Sequence, residues 1–369
     1  MNKLLPDICR IQYGYAFDSA KFTSGEGVPL VRIRDVVRGY SETFTTEECS
    51  EDYIVNDGDM LIGMDGEFNI AHWKGGRAYL NQRVCKLIPG NEADGLYLYY
   101  FMPKALKAIE DKTPFVTVKH LSAKELNKVV VPLPDMREQR RIGTSLQKID
   151  ELIALRKEQL AKLDELVKVR FVEMFGDQES NPLGWKRCTI GECCTLKSGT
   201  SLPADVENEG GPIPYVKVGD MNYPGNERYI TTSSRYVSEL TAGKGIFGIG
   251  SILFPKRGGA IGTNKKRMTK LPVCADLNVM GVSSNGDLLP EYLLAYFDLI
   301  DLGSLADGSS VPQINNKNIA PLVICLPPME LQKKFAAFVK QTDKTKLTIQ
   351  ASLDKLEVMK KALMQEYFG

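Results

Sequence analysis

Val28-Pro29-Leu30-Val31-Arg32-Ile33-Arg34-Asp35-Val36 returns later in the chain as Ile213-Pro214-Tyr215-Val216-Lys217-Val218-Gly219-Asp220-Met221. Working outward, Gly58-Asp59-Met60-Leu61-Ile62 returns as Gly250-Ser251-Ile252-Leu253-Phe254, and Val131-Pro132-Leu133-Pro134 returns near Cys325-Leu326-Pro327-Pro328. The order is kept each time. A long helical pattern follows each proline-rich stop, and the two patterns close on Phe175-Gly176 and Phe368-Gly369. One unit of globule plus long helix is therefore present twice. The period is far longer than the roughly 20–50 residues of a solenoid repeat. Two copies imply two similar sites held at a fixed distance, the geometry of a reader of a two-part target.

The 369 residues suffice for two independent cores, and 43% hydrophobic with 25% charged residues is ordinary for a globular chain. Met1 to Arg10 has no apolar core of a signal peptide, and no run approaches the roughly 18 uncharged apolar residues of a membrane span. A cytoplasmic location is the expectation. The eight cysteines are scattered, and Cys188, Cys193 and Cys194 have no CxxC spacing, so they are expected to be structural or inert thiols. The histidines are His72 and His120. Net charge is +1, from 47 basic and 46 acidic side chains, which weighs against a chain that grips DNA unaided. A DNA ligand would need a local basic patch or a partner that shares the phosphates.

Residues 1–135 and 178–328 read as mixed, strand-rich domains, and 136–177 and 329–369 as long helices. The Val-Arg-Ile-Arg-Asp-Val stretch alternates like a half-buried strand, and Gly58 to Ile62 leads from a turn into another strand. Leu96 to Ile109 and Pro290 to Ile300 carry helical spacing. The class is α+β.

Between Lys256 and Lys270 lie Lys256, Arg257, Lys265, Lys266, Arg267 and Lys270, interleaved with Gly258, Gly259 and Gly262 and with no acidic residue. This reads as a flexible cationic loop after a strand. Glycine permits close backbone approach to a phosphate, and arginine can also bind guanine bidentately. The matching first-copy stretch, Met64-Asp65-Gly66-Glu67-Phe68-Asn69 followed by His72, Trp73, Lys74 and Arg77, mixes signs and offers Asn69, whose amide can pair with adenine. On a strand, Arg32 and Arg34 would share a face, and the second copy keeps Lys217 there. The DNA-binding candidates are thus Arg32, Arg34, Asn69, Lys74, Arg77, Lys217, Lys256, Arg257, Lys265, Lys266 and Arg267. The bland alternative for each is a solvated surface, with Trp73 as core and Asp65 and Glu67 as turn residues.

From Glu138 to Phe175 a 3,4 spacing runs through Ile142, Leu146, Ile149, Ile153, Leu160, Leu163, Val167 and Met174, interrupted by Arg156 and Arg170. The second helix repeats it with Phe335, Val339, Ile349, Leu353, Leu356, Leu363 and Tyr367, interrupted by Thr342, Lys346 and Lys360. Each seam is the other's nearest partner. Antiparallel pairing as a coiled coil would separate the two globules along a rod of at most about 57 Å, or about 17 base pairs. It would also give a pseudo-two-fold axis with two similar faces for two copies of a partner.

No GxGxxG, GxxxxGK[ST], HExxH or GxSxG occurs, nor does the polar-Pro-Pro-aromatic tetrapeptide of a base-amine methyltransferase. Asp59, Asp65 and Glu67 lack a closely following lysine. Catalysis by this chain alone is not expected.

The motifs above, with Leu80-Asn81-Gln82-Arg83-Val84-Cys85, Lys119-His120-Leu121-Ser122 and Glu138-Gln139-Arg140-Arg141-Ile142, resemble the specificity subunit of type I restriction-modification systems along nearly the entire chain. The resemblance implies a non-catalytic subunit with two target-recognition domains, each reading half of a split double-stranded DNA site. It also implies two helical spacers that set the gap and dock two methyltransferase subunits. Those partners use S-adenosylmethionine, and restriction subunits using ATP and Mg join when cutting occurs; no cofactor is expected in this chain. Base-reading residues do not carry over by motif. Two other readings stand beside it, a duplicated scaffold that binds protein, with little salt dependence, and a stand-alone metal-dependent nuclease.

Overall fold

The computed structural model describes residues 1–113 and 119–369, which divide into two compact units, Met1–Lys157 with Ala351–Gly369 and Glu158–Gln350. Each unit builds the same sheets from duplicated segments. In the first unit the strand Val84–Pro89 lies between Cys9–Tyr13 and Met60–Gly63, with Asn69–His72 at the edge. In the second unit Val279–Ser284 lies between Cys194–Ser198 and Ile252–Pro255, followed by Arg267–Thr269 and Tyr229–Ile230. A second sheet pairs Val28–Val31 in parallel with Ala78–Leu80 through Leu30 and Tyr79, and its counterpart pairs Tyr215 with Cys274 in the same sense. A short antiparallel ribbon, Asn2–Leu4 with Val130–Pro132 and later Lys186–Thr189 with Val323–Leu326, closes each globule just before its long helix. The expected α+β class and duplication are present down to strand register.

One local expectation is corrected. The strand that begins at Val28 stops at Val31, and Ile33–Arg38 is a helix. The cause is Asp35, buried in the core, whose carboxylate accepts the Arg32 backbone N–H at 2.9 Å and bends the chain out of the extended state. Asp220 does the same to the Lys217 N–H at 2.7 Å and starts the 3₁₀ turn Val218–Asn222. Arg32 and Arg34 are therefore not two strand residues on one face.

The long helices are Met136–Phe175 and Met329–Phe368. Asp135 caps the first by accepting the Glu138 N–H at 2.9 Å. Their 3,4 stripes are the buried ones: Ile142, Leu146, Ile149 and Val167 on one helix, Phe335, Val339 and Leu353 on the other. In the first unit Arg141 lies 5.5 Å over the Tyr367 ring, Asp150 pairs with Lys360 at 2.6 Å and Lys157 with Glu357 at 3.1 Å. Numbers rise along one helix as they fall along the other, so the pairing is antiparallel. In the second unit Asp164 meets Lys346, Arg170 lies 5.9 Å over Phe338, and the Phe171 and Phe335 rings are 5.5 Å apart, again antiparallel. The charged residues that break the stripe are accommodated because Lys346 and Lys360 reach carboxylates across the seam. Helix ends enter the globule cores. Ile142, Leu146 and Phe368 join Tyr97, Leu98 and Phe101, while Phe171, Phe175, Phe335 and Val339 join Tyr292, Leu293 and Phe297.

A buried glutamine fixes each helix to its globule. Gln139 is 1% exposed; its amide oxygen accepts Asp94 N–H at 2.9 Å and its amide nitrogen donates to Glu92 O at 3.0 Å and Pro134 O at 2.9 Å. Gln332, also 1% exposed, accepts Leu289 N–H at 2.8 Å and donates to Asp287 O and Pro327 O, both at 3.0 Å. Every polar atom of both amides is used. Next to the first pin, Gly143 admits the helix that begins at Gly95, since a Cβ there would stand 2.7 Å from Leu96 Cβ. Truncating Gln139 to alanine removes three hydrogen bonds to part-buried backbone groups, at roughly 0.5–1.5 kcal/mol net each. Gln139→Ala should therefore destabilise the first unit by roughly 2–4 kcal/mol and expose the Asp94 amide to hydrogen exchange, while the amide of Leu289 keeps its protection. Unchanged protection at Asp94 would contradict the pin.

Candidate nucleic-acid interface

At one end of the main sheet in the first unit, three segments far apart in sequence are tied together by backbone bonds. Met64 N–H donates to Arg83 O at 3.0 Å, Leu121 N–H to Met64 O at 2.7 Å and Gly66 N–H to Lys119 O at 2.9 Å. The second unit ties the same knot: Lys256 N–H to Asn278 O at 2.8 Å, Ile314 N–H to Lys256 O at 2.9 Å and Gly258 N–H to Pro312 O at 2.8 Å. Asp65 bridges His120 as Arg257 bridges Gln313. These bonds make Asp65 equivalent to Arg257, Arg83 to Asn278 and His120 to Gln313. A glycine holds each knot closed. A Cβ at Gly14 would lie 2.0 Å from Asn81 O, and one at Gly199 would lie 2.1 Å from Asp276 O.

The side chains on this shared scaffold differ. In the first unit His120 Nδ1 lies 2.5 Å from Asp65 Oδ1, a contact that requires the proton on Nδ1. Arg83 Nε lies 3.6 Å from Asp65 Oδ2, and Arg83 Nη1 lies 3.4 Å from His120 Nε2, the ring nitrogen left to accept. Arg32 and Arg34, both exposed, line one cleft with Ile33, Gln82 and Arg83, and Arg34 Nη2 donates to Thr43 Oγ1 at 3.1 Å. Asn69 donates to Glu67 O at 3.0 Å, while its buried Oδ1 has no partner among the described residues. Lys74 and Arg77 are exposed on the turn around Trp73, which is core, its indole N–H donating to Gly76 O at 2.7 Å.

In the second unit the supposed flexible loop is ordered, with Gly258–Thr263 forming a 3₁₀ turn, and its cations are unequal. Arg257 is exposed, Lys256 Nζ donates to Ser198 Oγ at 3.0 Å, and Lys265 reaches Asn222. Lys217 is tied to Glu207, which also accepts Arg235 Nε at 3.2 Å. Arg267 donates to Lys266 O at 3.0 Å and Met221 O at 3.3 Å, and burial lowers its basicity. Lys270 lies 4.1 Å over the Tyr229 ring. Lys266 corrects the picture of six free cations. It is 5% exposed and its ammonium donates to Ile300 O at 2.6 Å and Asn264 Oδ1 at 2.8 Å, so it serves the core.

The structure thus gathers Arg32, Arg34 and Asn69 near the first knot and Lys256 and Arg257 at the second. It leaves Lys74, Arg77, Lys265 and Arg267 on neighbouring turns and strands, and it withdraws Lys266. Arg83, His120, Asn278 and Gln313 were not among the candidates; the signal in the sequence was that Arg83 and His120 fall inside family-like motifs. Among the described residues no His, Cys, Asp and Glu group is arranged to hold a metal ion, and no helix is long and apolar enough to cross a membrane.

Burial pushes the Lys266 ammonium down to about 8 from its ordinary 10.5. A lysine with a lowered folded value binds its proton less tightly in the folded than in the unfolded chain. Its penalty is full below pH 8 and is relieved as pH rises from about 8 towards 10.5. Thiols such as Cys188 and Cys194, held above their ordinary range by burial, act in the opposite direction over the same window, so the lysine is read by difference. In denaturant titrations the stability of wild type relative to Lys266→Met should rise from about pH 8 towards 10.5, and a difference that stays constant over the window would contradict the burial.

A family model described as "Type I restriction modification DNA specificity domain" matches residues 1–165 and 182–358. The chain is 37% identical over 167 residues to the EcoBI type I restriction enzyme specificity subunit of Escherichia coli, a match that spans 45% of this chain and 35% of that protein. It is 24% identical to the MjaIX specificity subunit of Methanocaldococcus jannaschii, over 77% of this chain and 70% of that one. An S subunit of a type I restriction-modification system from M. genitalium superposes with a TM-score of 0.61 at 15% identity, covering 100% of this chain and 96% of the other. A chain from a structure concerned with complex assembly and conformational transition of the type I R-M system gives 0.58 at 18%, covering 100% and 97%. At these identities the superpositions establish the fold.

Proposed function

The chain belongs to the family of type I restriction-modification DNA specificity domains, and from that premise we propose that it is the non-catalytic subunit that recognises a split double-stranded DNA site. Residues 1–135 and 178–328 act as recognition modules, one per half-site, and 136–177 and 329–369 as the spacer. The observation that carries the reading is the duplicated knot: one backbone scaffold presents Asp65, Arg83 and His120 in one copy and Arg257, Asn278 and Gln313 in the other. A duplicated scaffold with different hydrogen-bonding groups suits two different short sequences. A protein-binding scaffold has no such need for paired basic edges.

Arg32, Arg34, Asn69, Lys74, Arg77, Lys217, Lys256, Arg257, Lys265 and Arg267 are the proposed DNA-facing set, with Lys217 freed from Glu207 on binding. A net charge of +1 supplies little general attraction to phosphate. Two methyltransferase subunits that use S-adenosylmethionine share the grip and perform modification; restriction subunits with ATP and Mg add cutting. The location that follows is the cytoplasm, where the DNA lies.

Mapping methylated bases across the genome in cells with and without this chain tests the reading. Loss of one split methylated motif on deletion is the expected result, and an unchanged methylome where such a motif exists would contradict it. The spacer makes a second prediction. Each helix is about 60 Å long at 1.5 Å per residue, and a four-residue insertion beside Leu155 lengthens one partner by about 6 Å. The gap between half-sites should change while both half-sites stay as they were; a still-folded insertion variant with the original gap would refute the spacer role.

A further inference from the structure

The internal duplication separates groups that both copies keep from groups in which they differ. At the start of the buried-aspartate turn both copies keep a cation, Arg32 and Lys217, as suits a phosphate contact made alike in both halves. At the knot the copies part: Arg83 in one, Asn278 in the other, at the same place beside the same backbone bond. Asp65 and His120 differ from Arg257 and Gln313 as well, but among these three first-copy side chains Arg83 alone carries a guanidinium, and the second copy has none at its place, so what it contacts belongs to the first half-site alone. We propose that Arg83 is the residue with which the first unit reads a guanine, held in position by Asp65 and His120; the assignment rests on the DNA-recognition reading above.

The geometry favours a base over a phosphate. Asp65 faces Arg83 Nε at 3.6 Å, and the accepting Nε2 of His120 sits 3.4 Å from Nη1. Among the described residues Nη2 has no partner, so the outer N–H fork of the guanidinium is left to meet a ligand. That planar fork matches guanine O6 and N7 in the major groove. A phosphate at the same place would meet the Asp65 carboxylate, which repels it, whereas guanine brings no charge. Asp65 in turn is shielded, its side chain 22% exposed against 49% for Arg83. Restraint of a long side chain before binding reduces the entropy lost on binding. The equivalent Asn278 is also restrained, its amide nitrogen donating to Asp276 Oδ1 at 2.7 Å, and lacks the guanidinium fork.

The test is methylation mapping with the full chain in its complex, comparing wild type with Arg83→Ala and Arg83→Lys. Lysine keeps the charge and loses the fork. Both variants should lose roughly 5- to 150-fold discrimination at one G·C position, in one half-site only. The other half-site should stay sharply read, which also shows that the variant is folded and assembled. Retention of the motif at every position in either variant overturns the assignment. Weaker modification with an unrelaxed motif in Arg83→Ala, restored by Arg83→Lys, would mean a phosphate contact and also overturns it. A wild-type chain with no split motif would instead overturn the recognition reading itself.

Discussion

Two buried glutamines hold the rest of the structure in place. Gln139 and Gln332 each sit in the first turn or so of a long helix and saturate their amides on the backbone of the preceding globule. A packed apolar contact tolerates sliding by a few tenths of an ångström; a planar amide that serves three backbone partners at once does not. The direction in which each helix leaves its globule is therefore set by hydrogen bonds, and the apolar seam then decides which helix it meets. A protein whose task is to hold a recognition edge in register needs this kind of joint.

Rigidity at the joint is matched by freedom at the knot. The bonds that gather residues 64–66, 81–83 and 119–121, and their counterparts around 256–258, 276–278 and 312–314, run from backbone to backbone. Side chains on such a frame are exchangeable without altering it. Asp65, Arg83 and His120 form a mutually restrained set in one copy, while Arg257, Asn278 and Gln313 occupy the same frame in the other. On the proposed reading, stability and recognition are thereby carried by different atoms.

Much of this was legible in the chain because its signals are local. The returning Val-Pro-Leu-Val and Ile-Pro-Tyr-Val motifs exposed the duplication, and the 3,4 apolar spacing exposed the helices and their seam. The bend at Arg32 was not legible as a strand end, because apolar-charged alternation continues through it; the Asp35 carboxylate, bonding back to the Arg32 amide, decides the matter. Lys266 stood among cations and glycines as a plausible phosphate ligand, and only the Ile300 carbonyl, distant in sequence, shows why it turns inward. Arg83 and His120 were missed for the same reason. Their meeting with Asp65 joins three segments that no spacing rule connects.

The central claim, that each globule reads its own half-site, is tested most directly by exchange. Residues 178–328 would be replaced by the corresponding segment of another specificity subunit of this family, keeping both long helices, and the methylated motif of the resulting complex read from genomic DNA. The account predicts that one half of the motif changes to that of the donor while the other half and the gap persist. A motif altered in both halves, or in neither, from an assembled complex would contradict it.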